Sequence, residues 1–173
     1  MITSQAFAVC IFAAAQTYAV PPSVLIGILN VEGGRVGQAV HNPNNTYSLG
    51  PMHINTLWIP ELARFWDVSE QVALNRVRDD ACVNVGIGAY ILRSKIDETG
   101  SLSEGVAHYR SSNPQLGDSY RAKVVSAMKK YESIHSPDDL VPSIRSPSED
   151  PEKISNREDL EKILKGVSDS VIP

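Results

Sequence analysis

Val24-Leu25-Ile26-Gly27-Ile28-Leu29-Asn30-Val31-Glu32-Gly33-Gly34 contains the first charge in the chain. Thirty-one residues pass before Glu32, and none of them is Asp, Glu, Lys or Arg. An apolar run stopped by two glycines is a helix, and its carboxylate sits at the C-terminal end. Burial makes a carboxylate costly to ionise. A carboxyl group that keeps its proton can give it to a leaving group. Glu32 is therefore a candidate general acid. Taken alone, a helix-end Glu more often faces water, so the rest of the chain has to decide.

The pattern on both sides of this helix is also helical. Pro21-Pro22-Ser23 opens it, because proline is tolerated in a first turn. Before it, Phe7, Cys10, Ile11, Ala14 and Tyr18 form one apolar stripe. After it, residues 35–55 are rich in Gly, Asn, Ser and Pro and predict loop or short strand. Short helices are predicted over 56–65 and 69–77. A longer one is predicted over 80–99, with Cys82, Val85, Ala89, Leu92 and Ile96 on one face and Gly100 as its stop. Ser101-Leu102-Ser103-Glu104 has capping-box spacing. It starts a helix that ends near Arg110-Ser111-Ser112-Asn113-Pro114. A last core helix is predicted over 118–134, with Tyr120, Val124, Met128 and Tyr131 as its stripe.

Composition divides the 173 residues into three parts. With 42% hydrophobic residues there is material for one core. Residues 1–134 carry 11 acidic and 11 basic side chains, so the whole net charge of −4 lies in 135–173. No basic stripe is present, which argues against nucleic acid as a partner. Ala6–Ala15, the longest apolar run, is too short to span a bilayer. Residues 1–134 read as one mainly α domain. Residues 135–155 read as a Ser-, Pro- and acid-rich flexible linker. Residues 156–173 hold a second capping box, Ser155-Asn156-Arg157-Glu158 running into it, then Leu160, Ile163, Leu164 and Val167. That amphipathic stripe docks on its own core or on a partner protein. Met1–Ala19 also has the apolar middle of a signal peptide but lacks a basic start, and the helix reading is preferred. Cys10 and Cys82 fit either buried thiols or one disulfide. His41, His108 and His135 share no ligand spacing, so neither a metal nor another cofactor is expected.

Four motifs follow in order: Glu32-Gly33-Gly34; Ser48-Leu49-Gly50-Pro51-Met52-His53-Ile54-Asn55; Asn84-Val85-Gly86-Ile87-Gly88-Ala89-Tyr90-Ile91-Leu92; and Ala107-His108-Tyr109-Arg110. Their order and spacing over about residues 5–132 resemble the lysozyme-like lytic transglycosylases. The likeness is strongest to the small specialised members that accompany secretion and conjugation machines. It implies a goose-type lysozyme or soluble lytic transglycosylase fold. The reaction it implies is cleavage of the MurNAc–GlcNAc bond in peptidoglycan. Glu32 matches the family's catalytic Glu. It would protonate the glycosidic oxygen, then draw the proton from the sugar's own C6 hydroxyl, leaving a 1,6-anhydro end. A glycosidase otherwise needs a second carboxylate. Glu61 and Asp67 are the nearest in sequence, and both sit on a segment that reads as helix surface.

The resemblance assigns the remaining site positions. Ser48, Gly50 and the backbone to His53 would line the sugar groove. Met52 would be either an apolar wall or core. Asn55 matches a family Asn that is structural or sugar-binding. Tyr109 matches a Tyr whose hydroxyl orients the Glu, and Tyr120 is a further site candidate. Three positions depart from the family pattern: His53 stands for Gln, Arg110 for Asn, and Ser48 for the Asp of many close relatives. Cys10 and Cys82 match two cysteines that pair in close relatives. The resemblance thus implies a disulfide and a periplasmic protein, its export signal removed or absent. It also implies a secretion or conjugation apparatus as partner, reached through the tail. Two alternatives stay open: a hydrolytic lysozyme on the same fold, and an inactive peptidoglycan-binding scaffold favoured by the three departures.

Overall fold

The structure, a computed structural model, describes residues 4–134, with side-chain burial from 5 to 131. The linker and flexibility expected over 135–155, the amphipathic helix expected within 156–173, and His135 lie outside the described residues. The described chain is mainly helical, as expected. It forms α1 (Ser4–Thr17), α2 (Pro22–Glu32), β1 (Ala39–His41), β2 (Tyr47–Leu49), β3 (Ile54–Asn55), a 3-10 turn (Thr56–Trp58), α3 (Ile59–Trp66), α4 (Glu70–Asp79), α5 (Ala81–Thr99), α6 (Leu102–Arg110) and α7 (Pro114–Ile134). None of the described helices is long and apolar enough to cross a membrane.

Local chemistry sets the element ends. Gly33 takes φ 62° and its N–H donates to Leu29 O at 3.0 Å, closing α2 directly after Glu32. Glycine enters this left-handed cap without a Cβ penalty. Asp80 and Ser101 cap α5 and α6 through their side chains. Two boundaries differ from the sequence reading. The helix predicted over 56–65 splits into the 3-10 turn and α3. There Asn55 caps Leu57 N at 2.9 Å, and Pro60 fits the first turn of α3, where a missing N–H costs nothing. The last helix starts at Pro114 rather than 118. The Asn113 side chain accepts from Gln115 N at 3.1 Å and from Leu116 N at 3.3 Å. Pro114 itself has no N–H to satisfy.

Residues 39–55 supply a small antiparallel sheet in the order β1-β2-β3, with Val40 opposite Ser48 and Leu49 opposite Ile54. Helix α5 lies at the centre and packs on α1, α4 and α6, while α2 packs on α7. Val24, Leu25 and Ile28 of α2 are buried. Each such side chain contributes about 1.5–3 kcal/mol by leaving water. The predicted stripe on α5 is also interior, with Val85, Ala89, Leu92 and Ile96 in the core. Cys10 and Cys82 form a disulfide, Cα atoms 5.1 Å apart, which ties α1 to the first turn of α5.

The sheet and α5 are joined by one buried amide. Asn84 is fully buried. Its Nδ2 donates to Leu49 O and Val77 O, both at 2.9 Å, and its Oδ1 accepts from Met52 N at 2.8 Å. Gly50, at φ 65°, is the turn residue that lets this amide approach, since a Cβ there would be both strained and in the way. The turn Gly50–His53 is thereby fastened to α5 directly beneath the C-terminal end of α2.

Candidate active site

A cleft of about 350 Å³ opens between the end of α2, the sheet and α6. Glu32, Asn42, Ser48, His53, Asn55 and Arg110 supply its polar lining, and Trp58, Ile91 and Tyr109 are among its apolar and aromatic walls. Among the described residues, Glu32 is the one carboxylate on this lining. Glu61 and Asp67 are exposed and do not line it. A separate apolar depression of about 470 Å³ between α1 and α2 has no carboxylate, histidine or tyrosine on its walls.

Glu32 ends α2 with its side chain only 7% exposed. Both carboxylate oxygens are engaged. Tyr120 Oη donates to Oε1 at 2.7 Å, and His53 Nδ1 lies 3.1 Å from Oε2. Three distant parts of the chain thus converge on one carboxyl group: α7, the sheet turn and α2. Tyr109 stacks on Tyr120 with ring centroids 6.3 Å apart and planes 14° from parallel. Burial raises the phenols of both tyrosines well above their ordinary range, and the charge of Glu32 raises them further. The bond from Tyr120 to Glu32 adds to the effect there, and Arg110 opposes it. Tyr120 therefore remains a hydroxyl donor across the working pH range.

The expected site residues divide into three groups. Glu32, Ser48, His53, Asn55, Tyr109 and Arg110 line the cleft. Tyr120 is buried behind it, touching Glu32. Of the two readings left open for Met52 the structure takes the core, and Gly50, expected in the groove, does not line the cleft either. Met52 is fully buried with its thioether against Gly88, and its carbonyl accepts from Tyr109 Oη at 3.1 Å. Gly50 serves the turn. The hydroxyl expected to orient Glu32 is also reassigned: that of Tyr109 holds Met52 O, and that of Tyr120 meets the carboxylate.

The wall opposite Glu32 is a network of short polar side chains. Asn42 Nδ2 donates to Thr46 Oγ1 at 2.9 Å and to Ser48 Oγ at 3.1 Å. Asn55 Nδ2 donates to Thr46 Oγ1 at 3.0 Å, while its Oδ1 caps the 3-10 turn. Asn55 is therefore structural and cleft-lining at once. Sequence reading missed Asn42, Asn44, Trp58 and Ile91 as lining residues. For the first two the signal was the run Asn42-Pro43-Asn44-Asn45, a turn that returns β1 against β2. Trp58 and Ile91 lie on helical segments and carried no separate signal. The bonds of Asn84 were invisible because two of its partners lie 32 and 35 residues away.

Chemically, the cleft offers one shielded carboxyl group, two hydrogen-bonding neighbours that hold it, a polar wall, and one exposed guanidinium, Arg110. That set suits proton transfer to and from a bound ligand that carries hydrogen-bonding groups. No protein-family model and no curated protein matches the chain.

Proposed function

We propose that this chain is a lysozyme-like peptidoglycan lytic transglycosylase. The observation that carries the reading is the lone, shielded Glu32 on a polar cleft, at the position the four-motif resemblance marks as catalytic. Glu32 gives its proton to the oxygen between MurNAc and GlcNAc as that bond breaks. The carboxylate then takes the proton of the MurNAc C6 hydroxyl. The freed oxygen bonds to C1, closing a 1,6-anhydro ring and releasing the strand. One carboxylate serves both halves because the nucleophile belongs to the substrate. This agrees with a cleft that has no second carboxylate among the described residues, where hydrolysing glycosidases place a pair.

The polar wall of Asn42, Ser48 and Asn55 supplies partners for sugar hydroxyls and acetamides. The disulfide Cys10–Cys82 supports an oxidising compartment, the periplasm, where peptidoglycan also lies. Local opening of the wall for a secretion or conjugation apparatus follows from the resemblance, with the segment beyond 134 as the part that meets the apparatus.

Product analysis on purified sacculi tests the reading. Wild-type protein should release anhydro-ended fragments. Glu32→Gln should release none while still melting in a cooperative transition, at a lower temperature than wild type because its NH2 cannot accept from Tyr120 or His53. Reducing ends would identify a hydrolytic lysozyme. Binding to sacculi without any cleavage would identify a scaffold.

A further inference from the structure

His53 takes φ 49°, a left-handed conformation that a residue with a Cβ enters at a cost. The turn closed by His53 N–H to Gly50 O at 3.2 Å holds it there. The strained backbone aims the imidazole at Glu32. On its other side the ring rests on the bare backbone of Gly34: a Cβ there would come within 2.8 Å of His53 Cδ2 and 3.0 Å of Nε2. Nε2 is buried with no hydrogen-bond partner. Backbone strain, a glycine cradle and a single facing nitrogen all serve one contact, Nδ1 to Oε2.

That contact selects one form of the ring. A nitrogen 3.1 Å from a carboxylate oxygen needs a proton between them, or two lone pairs would face each other. A proton on Nε2 would be a buried donor with no acceptor, which is costly. The neutral ring with its hydrogen on Nδ1 satisfies both conditions. The other titratable or charged groups around the pair are Tyr109 and Arg110 from α6 and Tyr120 from α7.

We propose that His53 is a positioning residue for Glu32. Through Nδ1–H alone it holds Oε2 while Tyr120 holds Oε1, so the carboxylate keeps one orientation toward the glycosidic oxygen. This rests on the reading of Glu32 as the reacting carboxylate. Glutamine also offers a side-chain donor, without a titrating ring, so it should replace His53 in this role; alanine should not.

The experiment compares wild type, His53→Gln, His53→Ala and Glu32→Gln on sacculi, with melting curves to confirm folding. His53→Ala should lower kcat by about 10- to 100-fold, the factor for one hydrogen bond to a charged group, with KM nearly unchanged. His53→Gln should recover most of that loss. Nitrogen-15 spectra of the histidines give a readout independent of cleavage. They should show His53 as the neutral Nδ1–H tautomer, with its Nδ1 resonance displaced in Glu32→Gln. An Nε2–H tautomer overturns the proposal. So does a full-rate His53→Ala beside an inactive Glu32→Gln, which leaves the functional reading standing. Full cleavage by Glu32→Gln removes both.

Discussion

Tyr120 holds Oε1 of Glu32 through a 2.7 Å bond from its hydroxyl. Tyr120→Phe deletes that donor and keeps the ring stacked on Tyr109. A hydrogen bond to a charged group contributes about 1.5–3 kcal/mol, so cleavage of sacculi should fall by about 10- to 100-fold. Tyr109→Phe should act differently. It frees the Met52 carbonyl and loosens the turn carrying His53, and the loss should appear in thermal stability as well as in rate. The buried phenols also set a pH limit. Tyr18, Tyr109 and Tyr120 are all held above their ordinary value, in each case chiefly by burial. Unfolded tyrosines release protons from about pH 10, while these native ones do not. The unfolded state then binds fewer protons, and stability falls as pH rises beyond that point. Below it the contribution is fully present. Urea midpoints measured across this range should decline above about pH 10, and less steeply in Tyr120→Phe.

At the scale of elements, the site depends on how the sheet turn is fastened to α5. Asn84→Ala would take a buried hydrogen-bond partner from each of Leu49 O, Val77 O and Met52 N. At about 1–3 kcal/mol for each group left unsatisfied, the cost is about 3–9 kcal/mol, a large part of a small domain's stability. Urea unfolding should show it directly, and folded variant protein should cleave poorly because the Gly50–His53 turn has lost its anchor. The helices themselves were legible in sequence, since stripes and caps are local. The early start of α7 was not, because Pro114 reads as a break until the Asn113 cap is known. The sheet was seen only as loop or short strand. Its strands of two or three residues are too short for alternation to register.

Across the whole molecule, the disulfide is a long covalent constraint, joining residues 72 apart in sequence. Closing a loop of that length stabilises the folded state by about 4.4 kcal/mol in the chain-entropy account, by restricting the unfolded chain. Replacing Cys10 and Cys82 together with serine should lower the denaturant midpoint by a corresponding amount. Glu32 and its partners lie on α2, α7 and the sheet turn, and neither cysteine touches the carboxylate. The folded double-serine variant should therefore retain the proposed wall cleavage, measured on sacculi. Mass analysis of the unreduced wild type, two hydrogens short of the dithiol, checks the bond itself.

Sequence alone determined which segments are helical, that Glu32 ends an apolar helix at a glycine stop, and which two cysteines were available to pair. Those properties follow from periodicity, capping chemistry and composition, which act over a few residues. Tertiary structure decided which side chains hold Glu32. Tyr120 lies 88 residues away and reaches Oε1 only because α7 packs along α2. His53, 21 residues away, reaches Oε2 only because a left-handed turn anchored by Asn84 directs it there. Tertiary packing also settled Met52 as core rather than groove wall and gave Gly50 to the turn rather than the cleft lining. Which atoms meet across such distances depends on the packing of whole elements, and no local pattern of residues encodes it.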